Sequence, residues 1–149
     1  MNVQTRATMA RLACDPLLVF AVLMAPPVWW LLAPMVTTVK SRDLALVLTV
    51  VVLYPILEEL SFRGLLQGWL LQQLAGCRRQ WGISLPNLLT SLAFSSAHLP
   101  TQSVSWAAAT LLPSLLFGHL RERYDRVEPA IALHIYYNAG LILFALFAR

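Results

Sequence analysis

Long apolar runs separated by short polar links dominate the chain. Four runs approach the length of a membrane span, and charged or turn-forming residues bound each of them: Leu17 to Val36, Leu44 to Leu57, Val104 to Leu120 and Ala130 to Ala148. A helix needs roughly 20 predominantly apolar residues to cross the hydrocarbon core of a bilayer. The pattern therefore predicts transmembrane helices.

The second run continues as a helix from Leu44 to about Ala75, and Pro55 is expected to kink it. A weaker span is predicted from Ile83 to His98, and its serine and asparagine side chains must face protein or water. The first span is expected to be irregular because it contains three prolines, Pro26, Pro27 and Pro34.

Polar segments separate the later spans. Leu99 to Ser103 is predicted to form a turn, and Arg121 to Pro129 a solvated loop. The resulting prediction is an all-α, polytopic transmembrane bundle of about five spans with its active site inside the membrane. The chain divides into an N-terminal cytoplasmic segment at 1–16, a transmembrane anchor and link at 17–43, and a core at 44–149 that carries the chemistry.

Composition supports a membrane protein over the alternative, a soluble helical bundle with unusually apolar helices. Hydrophobic residues make up 58% of the chain and charged residues 12%, whereas about 25% of a soluble domain is charged. The net charge is +4, but the basic residues are scattered over the ends of the apolar runs and form no stripe. Binding of nucleic acid is therefore not expected.

The basic residues instead predict an orientation. Counted on alternate sides of five spans, most of them fall together, namely Arg6, Arg11, Arg78, Arg79, Arg121, Arg123 and Arg126. Lys40, Arg42 and Arg149 fall on the opposite side. The positive-inside rule then places the N-terminus in the cytoplasm. Cys14 and Cys77 lack any metal-ligand spacing and predict neither a disulfide framework nor a zinc knuckle.

Ionisable side chains inside apolar helices are costly, so those present are functional candidates. They occur in three stretches, YPILEELSFRGLL with Glu58, Glu59 and Arg63, LTSLAFSSAH with His98, and IALHIYYNAG with His134 and Asn138. Residues four apart share a helix face. Glu59 is therefore expected to pair with Arg63, while Glu58 points about a quarter-turn away. His134 and Asn138 likewise share a face.

These residue types suggest hydrolysis. In a dry pocket, desolvation makes a carboxylate such as Glu58 a better base near neutral pH, so it could take a proton from water. His98 could orient that water and pass a proton to the leaving amine. His134 and Asn138 could donate hydrogen bonds to the oxyanion that develops on the scissile carbonyl.

The three stretches match three motifs, EExxxR, FxxxH and HxxxN. They stand here as Glu58-Glu59-x-x-x-Arg63, Phe94-x-x-x-His98 and His134-x-x-x-Asn138. In this order and at these separations the chain resembles the CAAX prenyl protease and bacteriocin-processing (CPBP, Abi) family from about Leu44 to Leu146. The resemblance implies an all-helical glutamic-type intramembrane endopeptidase, and from the residue types we expect no cofactor.

The resemblance also implies roles and partners. Glu58 and His98 would activate water, and the third motif would stabilise the oxyanion. The substrate would be a membrane-embedded peptide or a C-terminal protein tail. Because the chain is much shorter than the eukaryotic prenyl-protein members, it looks like a minimal member from a prokaryotic inner membrane, one that processes sorting tails or peptide precursors.

Several alternatives use the same residues. Glu58, His98 and His134 could bind zinc, although HExxH is absent and a metal-free glutamic mechanism suits the residues equally well. A proton-coupled transporter or a bacteriocin-immunity factor could also use this polar cluster, but the chain shows none of the repeats that are usual in transporters. Structurally, Glu59 with Arg63 could be a packing ion pair, and His134 with Asn138 could join two helices.

Overall fold

The structure, a computed structural model, describes residues 15–33, 43–74 and 82–147. These residues form helices joined by turns, which confirms the all-α prediction: α1 at Pro16–Leu32, α2 at Leu44–Gln73, α3 at Leu85–Ala97, α4 at Val104–Ala109, α5 at Leu111–Tyr124 and α6 at Glu128–Phe147. Most of the basic residues behind the predicted orientation lie outside the described residues, as do both cysteines. The orientation therefore stays a prediction.

Side-chain caps explain where four of the helices begin. The Oδ1 of Asp15 accepts a hydrogen bond from the Leu17 N–H at the start of α1, and Asp43 does the same for Ala45 in α2, both at 2.9 Å. Ser84 and Ser103 cap α3 and α4 in the same way. Such caps satisfy backbone N–H groups that have no partner inside the helix.

α2 is helical throughout but contains two widened π turns. The first covers Thr49–Leu53 and the second Leu60–Gln67, with the α-helical segment Tyr54–Glu59 between them. A π turn often occurs at a functional site because its extra residue changes the direction of the side chains that follow. The sequence predicts a disturbance at Pro55, and the structure has a π turn directly before it.

Two expectations about helix ends and breaks are wrong. α1 continues as one α-helix through Pro26 and Pro27 without the predicted break, since proline has a helical φ angle and an apolar environment favours a backbone that is hydrogen-bonded within one segment. α5 continues to Tyr124, so the predicted loop shortens to three residues, 125–127. Its last turn is stabilised by the pair of Arg121 Nη1 with Asp125 Oδ1, 2.9 Å apart.

Within the described ranges, two helices are long and apolar enough to cross a membrane, Leu44–Gln73 and Glu128–Leu146. α1 is apolar but shorter. The number of about five spans therefore stays a prediction, as do the domain boundaries.

Polar side chains are buried and large apolar side chains are exposed, which is the reverse of the distribution in a soluble domain. The largest fully buried side chains include the polar residues Arg63, Gln67, Glu59, Asn87, Thr90, Ser91 and Ser114. Large apolar side chains are exposed instead, and Leu65 and Leu112 are each 75% exposed. A soluble protein rarely buries charged side chains fully, whereas a membrane bundle turns them inward, away from lipid.

The chain forms two compact units, Met1–Lys40 with Ala139–Arg149, and Ser41–Asn138. In the first, Trp29 packs against Phe144 with ring centroids 5.6 Å apart. The second contains every residue of the three motifs, and in it α3 packs against α5.

Close packing of α3 against α5 depends on Gly118. The Asn87 side chain lies against Gly118, donates to the Leu115 carbonyl at 2.9 Å and accepts from the Ser91 hydroxyl at 3.1 Å. A Cβ at residue 118 would collide with the Asn87 amide. This contact leaves no room for any larger residue at position 118.

We expect Gly118→Ala to lower the free energy of unfolding by about 1–3 kcal/mol, because the collision forces the two helices apart or moves Asn87 from its partners. Thermal unfolding in detergent measures the effect. Gly68→Ala is the matched control, since the nearest atom to its added Cβ is the Arg63 carbonyl oxygen at 4.0 Å. Equal stability of the two variants would contradict the prediction.

Candidate active site

The first motif places Glu59 and Arg63 in the interior of the second unit. Both side chains are 0% exposed, and Glu59 Oε2 lies 3.2 Å from Arg63 Nε. These two atoms form an ion pair without hydrogen-bond alignment. The guanidinium is also held from α5, where Arg63 Nη2 donates to the Ser114 hydroxyl at 2.7 Å and to its carbonyl at 3.1 Å.

Glu58 has a different environment from its neighbour. Its side chain is 31% exposed, and its Oε2 lies 3.7 Å from His134 Nε2. His98 is also close enough for an electrostatic interaction with this carboxylate. Glu58 is therefore accessible, lies beside His134 and interacts electrostatically with His98, although 76 and 40 residues separate it from these two histidines in the sequence.

His134 lies between the two glutamates. Its Nδ1 is 2.9 Å from Glu59 Oε1, while its Nε2 faces Glu58. Because an ionised carboxylate can only accept, Nδ1 carries a proton. The ring donates through Nε2 only when that nitrogen is protonated as well. The sequence pairs Glu59 with Arg63 alone, so this second partner is new.

The tautomer of His98 follows from a similar contact. His98 Nδ1 lies 2.9 Å from the Phe94 carbonyl oxygen, four residues earlier at the end of α3. A carbonyl only accepts, so Nδ1 donates. In the neutral ring Nε2 then carries a lone pair and can accept a hydrogen bond from water.

Two aromatic side chains pack the site. The Phe94 ring is 2% exposed, lies 4.5 Å from Arg63 Cζ, and has its centroid 4.8 Å from that of His98 and 5.9 Å from that of His134. Phe117 of α5 stacks on His134 at 5.0 Å. Phe94 thus contacts residues of all three motifs, which gives the first position of FxxxH a physical role in packing.

Asn138 has a partner that its motif does not predict. Its Nδ2 donates to the Val50 carbonyl in the first π turn of α2, at 3.0 Å. The carboxamide nitrogen carries two N–H bonds, so one of them serves Val50 and the second can serve another acceptor. Asn138 follows His134 by one helical turn, so the two side chains still share a face of α6.

Ser114 and Phe117 are site residues that the sequence analysis missed. Ser114 contacts Arg63, and Phe117 contacts His134. A serine in the middle of the apolar run LLPSLLFGHL was the available signal, because a polar side chain in a span usually has a partner within the protein. Phe117 carries no such signal in an apolar helix.

Zinc is the cofactor that the residue types could bind. In the part of the chain that the structure describes, no group of three or more His, Cys, Asp or Glu side chains is arranged to hold a metal ion. Glu59 is committed to Arg63 and to His134 Nδ1. Binding of zinc by Glu58, His98 and His134 stays an alternative for experiment, and the chemistry below uses no metal.

A buried ion pair, two oriented histidines and a partly exposed glutamate thus lie within one apolar helical unit. The sequence model of one family, Rce1-like, described as type II CAAX prenyl endopeptidase Rce1-like, matches residues 40–140. The match covers more than half of the chain and all three motifs, so the protein belongs to the Rce1-like family. Comparisons with curated proteins and with solved structures give no match.

Family membership confirms the resemblance seen in the motifs. The protein is a membrane endopeptidase of the CAAX type, and a membrane-associated peptide is the corresponding class of substrate.

Proposed function

We propose that the protein is a glutamic-type intramembrane endopeptidase in which Glu58 is the general base. The contrast between two adjacent carboxylates carries the proposal. Glu59 is fully buried and bound to Arg63 and His134, whereas Glu58 is partly exposed and its carboxylate lies 3.7 Å from His134 Nε2. Only Glu58 can receive a water molecule without breaking a buried ion pair.

Water activation requires two acceptors. Glu58 takes one proton as the water oxygen forms a bond to the scissile carbonyl carbon. His98 Nε2 accepts from the remaining O–H and orients the oxygen. When the C–N bond breaks, His98 draws the proton from Glu58 and delivers it to the amine. Proton transfer by a positioned side chain contributes about 10²- to 10⁴-fold to such a rate.

The oxyanion would be stabilised from α6. Protonated His134 would donate through Nε2 while its Nδ1 donates to Glu59. The free N–H of Asn138 would supply a second donor. Donors that are held in place before the reaction stabilise developing charge without reorganisation.

The proposed substrate is a membrane-embedded peptide or C-terminal protein tail, since exposed apolar side chains of α2 surround the base. Leu57 and Leu60, on either side of the two glutamates, are 51% and 47% exposed. Processing of sorting tails or peptide precursors at a prokaryotic inner membrane, with the N-terminus in the cytoplasm, is the specific setting that we propose.

Mass spectrometry of membrane-protein termini tests the function and identifies the substrate together. Cells that express the wild-type chain are compared with cells that express Glu58→Gln at equal levels. We expect at least one C-terminus to shift between the two. Identical termini, combined with no cleavage of model peptides by the purified protein, would favour a transporter or a peptide-binding factor that uses the same cluster.

Metal dependence is tested by chelation. We expect cleavage of a membrane-embedded peptide to survive prolonged treatment with a chelator, and the purified protein to contain less than one zinc per chain. The physical reason is that Glu58 and His98 can activate water together. Loss of activity on chelation, restored by added zinc, would instead make Glu58, His98 and His134 ligands.

A further inference from the structure

One carbonyl in the middle of α2 lacks its helical partner. In the π turn Thr49–Leu53, the Tyr54 N–H donates to the Thr49 carbonyl, five residues back. The same register would pair the Val50 carbonyl with the N–H of residue 55. That residue is Pro55, which has no N–H. The Val50 carbonyl therefore needs a donor from outside the helix.

Asn138 supplies that donor. Its Nδ2 lies 3.0 Å from the Val50 oxygen. Because a carbonyl oxygen can only accept, the contact determines which end of the carboxamide is the nitrogen. It also restrains the orientation of the amide, and with it the direction of the second N–H.

We propose that Pro55 and the Val50 carbonyl position Asn138 for catalysis. Because Pro55 has no backbone N–H, the Val50 oxygen accepts from the Asn138 amide and orients it. The second N–H of that amide then points toward the position of the oxyanion. Pro55 is fully buried and lies three residues before Glu58. One turn of α2 thus carries the base and orients a donor of the third motif. The inference rests on the proposed function, and Pro55 acts only through Asn138.

The first test is Pro55→Ala, which supplies an N–H that competes for the Val50 oxygen and releases Asn138. We expect kcat for a membrane-embedded peptide to fall by up to about 10²-fold, the cost of a small misplacement of a catalytic group. KM should stay close to the wild-type value, because an oxyanion donor acts in the transition state. The melting temperature is recorded alongside and kcat is expressed per folded molecule, because the new N–H replaces the bond from Asn138 while the smaller side chain loses buried contacts.

Pro26→Ala is the matched control, since Pro26 also lies inside a helix but belongs to the other unit. Its kcat should equal that of the wild type. A wild-type kcat in Pro55→Ala, with a strong loss in Glu58→Gln, overturns the inference and leaves the proposed function standing. Full activity in both Pro55→Ala and Glu58→Gln overturns both the inference and the proposed function.

A second test needs no activity. Asn138→Ala removes the donor to Val50 and should lower the melting temperature. In a Pro55→Ala background the same change should lower it much less, because the N–H of residue 55 now satisfies the carbonyl. This is a non-additive double-mutant cycle. Additive effects would overturn the inference.

A wild-type measurement keeps the inference testable even if Pro55→Ala folds poorly. The measurement is NMR of the protein in micelles with ¹⁵N-labelled asparagine. The two Nδ2 protons of Asn138 should exchange with solvent at different rates, because the Val50 carbonyl protects one of them. Rapid exchange of both protons would contradict the contact. The Asn138→Ala spectrum assigns the signals.

Discussion

Glu58→Gln should abolish almost all cleavage while leaving the fold intact. The change keeps the shape of the side chain and removes the base, a role whose loss costs about 10²- to 10⁴-fold in rate. Glu58 is 31% exposed, and in the part of the chain that the structure describes its ion-pair partner is His134, whose Nε2 is 3.7 Å away. Stability should therefore barely change.

Purified variants in detergent provide the measurement, with the rate of cleavage of a membrane-embedded peptide and the thermal unfolding curve recorded for each. Glu128→Gln is the matched control, because Glu128 is a surface glutamate that pairs with Arg126. It should cleave as fast as the wild type. If Glu58→Gln also does so, Glu58 is not the base.

Glu59→Gln should affect folding more than the rate of cleavage, in contrast to Glu58→Gln. The glutamate neutralises Arg63 and holds His134, and both it and the guanidinium are 0% exposed. Removing one partner of a desolvated ion pair leaves an uncompensated charge and costs roughly 3–5 kcal/mol. We expect a lower unfolding temperature and a lower yield.

Activity per folded molecule should fall less in Glu59→Gln than in Glu58→Gln. Some loss is expected, because Glu59 also orients the His134 ring through its contact with Nδ1. The Arg126–Glu128 pair again serves as the comparison, since its side chains are 58% and 64% exposed and its loss should have little effect on stability. A folded but inactive Glu59→Gln beside an active Glu58→Gln would reverse the two roles.

Much of the fold could be predicted because apolar runs and helix boundaries are local properties of the chain. The runs at 17–36, 44–75 and 130–148 correspond to α1, α2 and α6. The errors occurred where local rules compete. Pro26 and Pro27 predict a break, but an apolar environment favours a continuous helix, and the charged stretch after Leu120 continues α5 for one more turn.

The sequence by itself determined the all-α class and the three motifs, because helical periodicity and spacings of four residues depend only on neighbours along the chain. Only the tertiary structure decided that Glu59 contacts His134, that Ser114 holds Arg63 and that Asn138 reaches Val50. These pairs are 75, 51 and 88 residues apart. The partner of a buried polar group at such a distance depends on how the helices pack, and no local pattern records it.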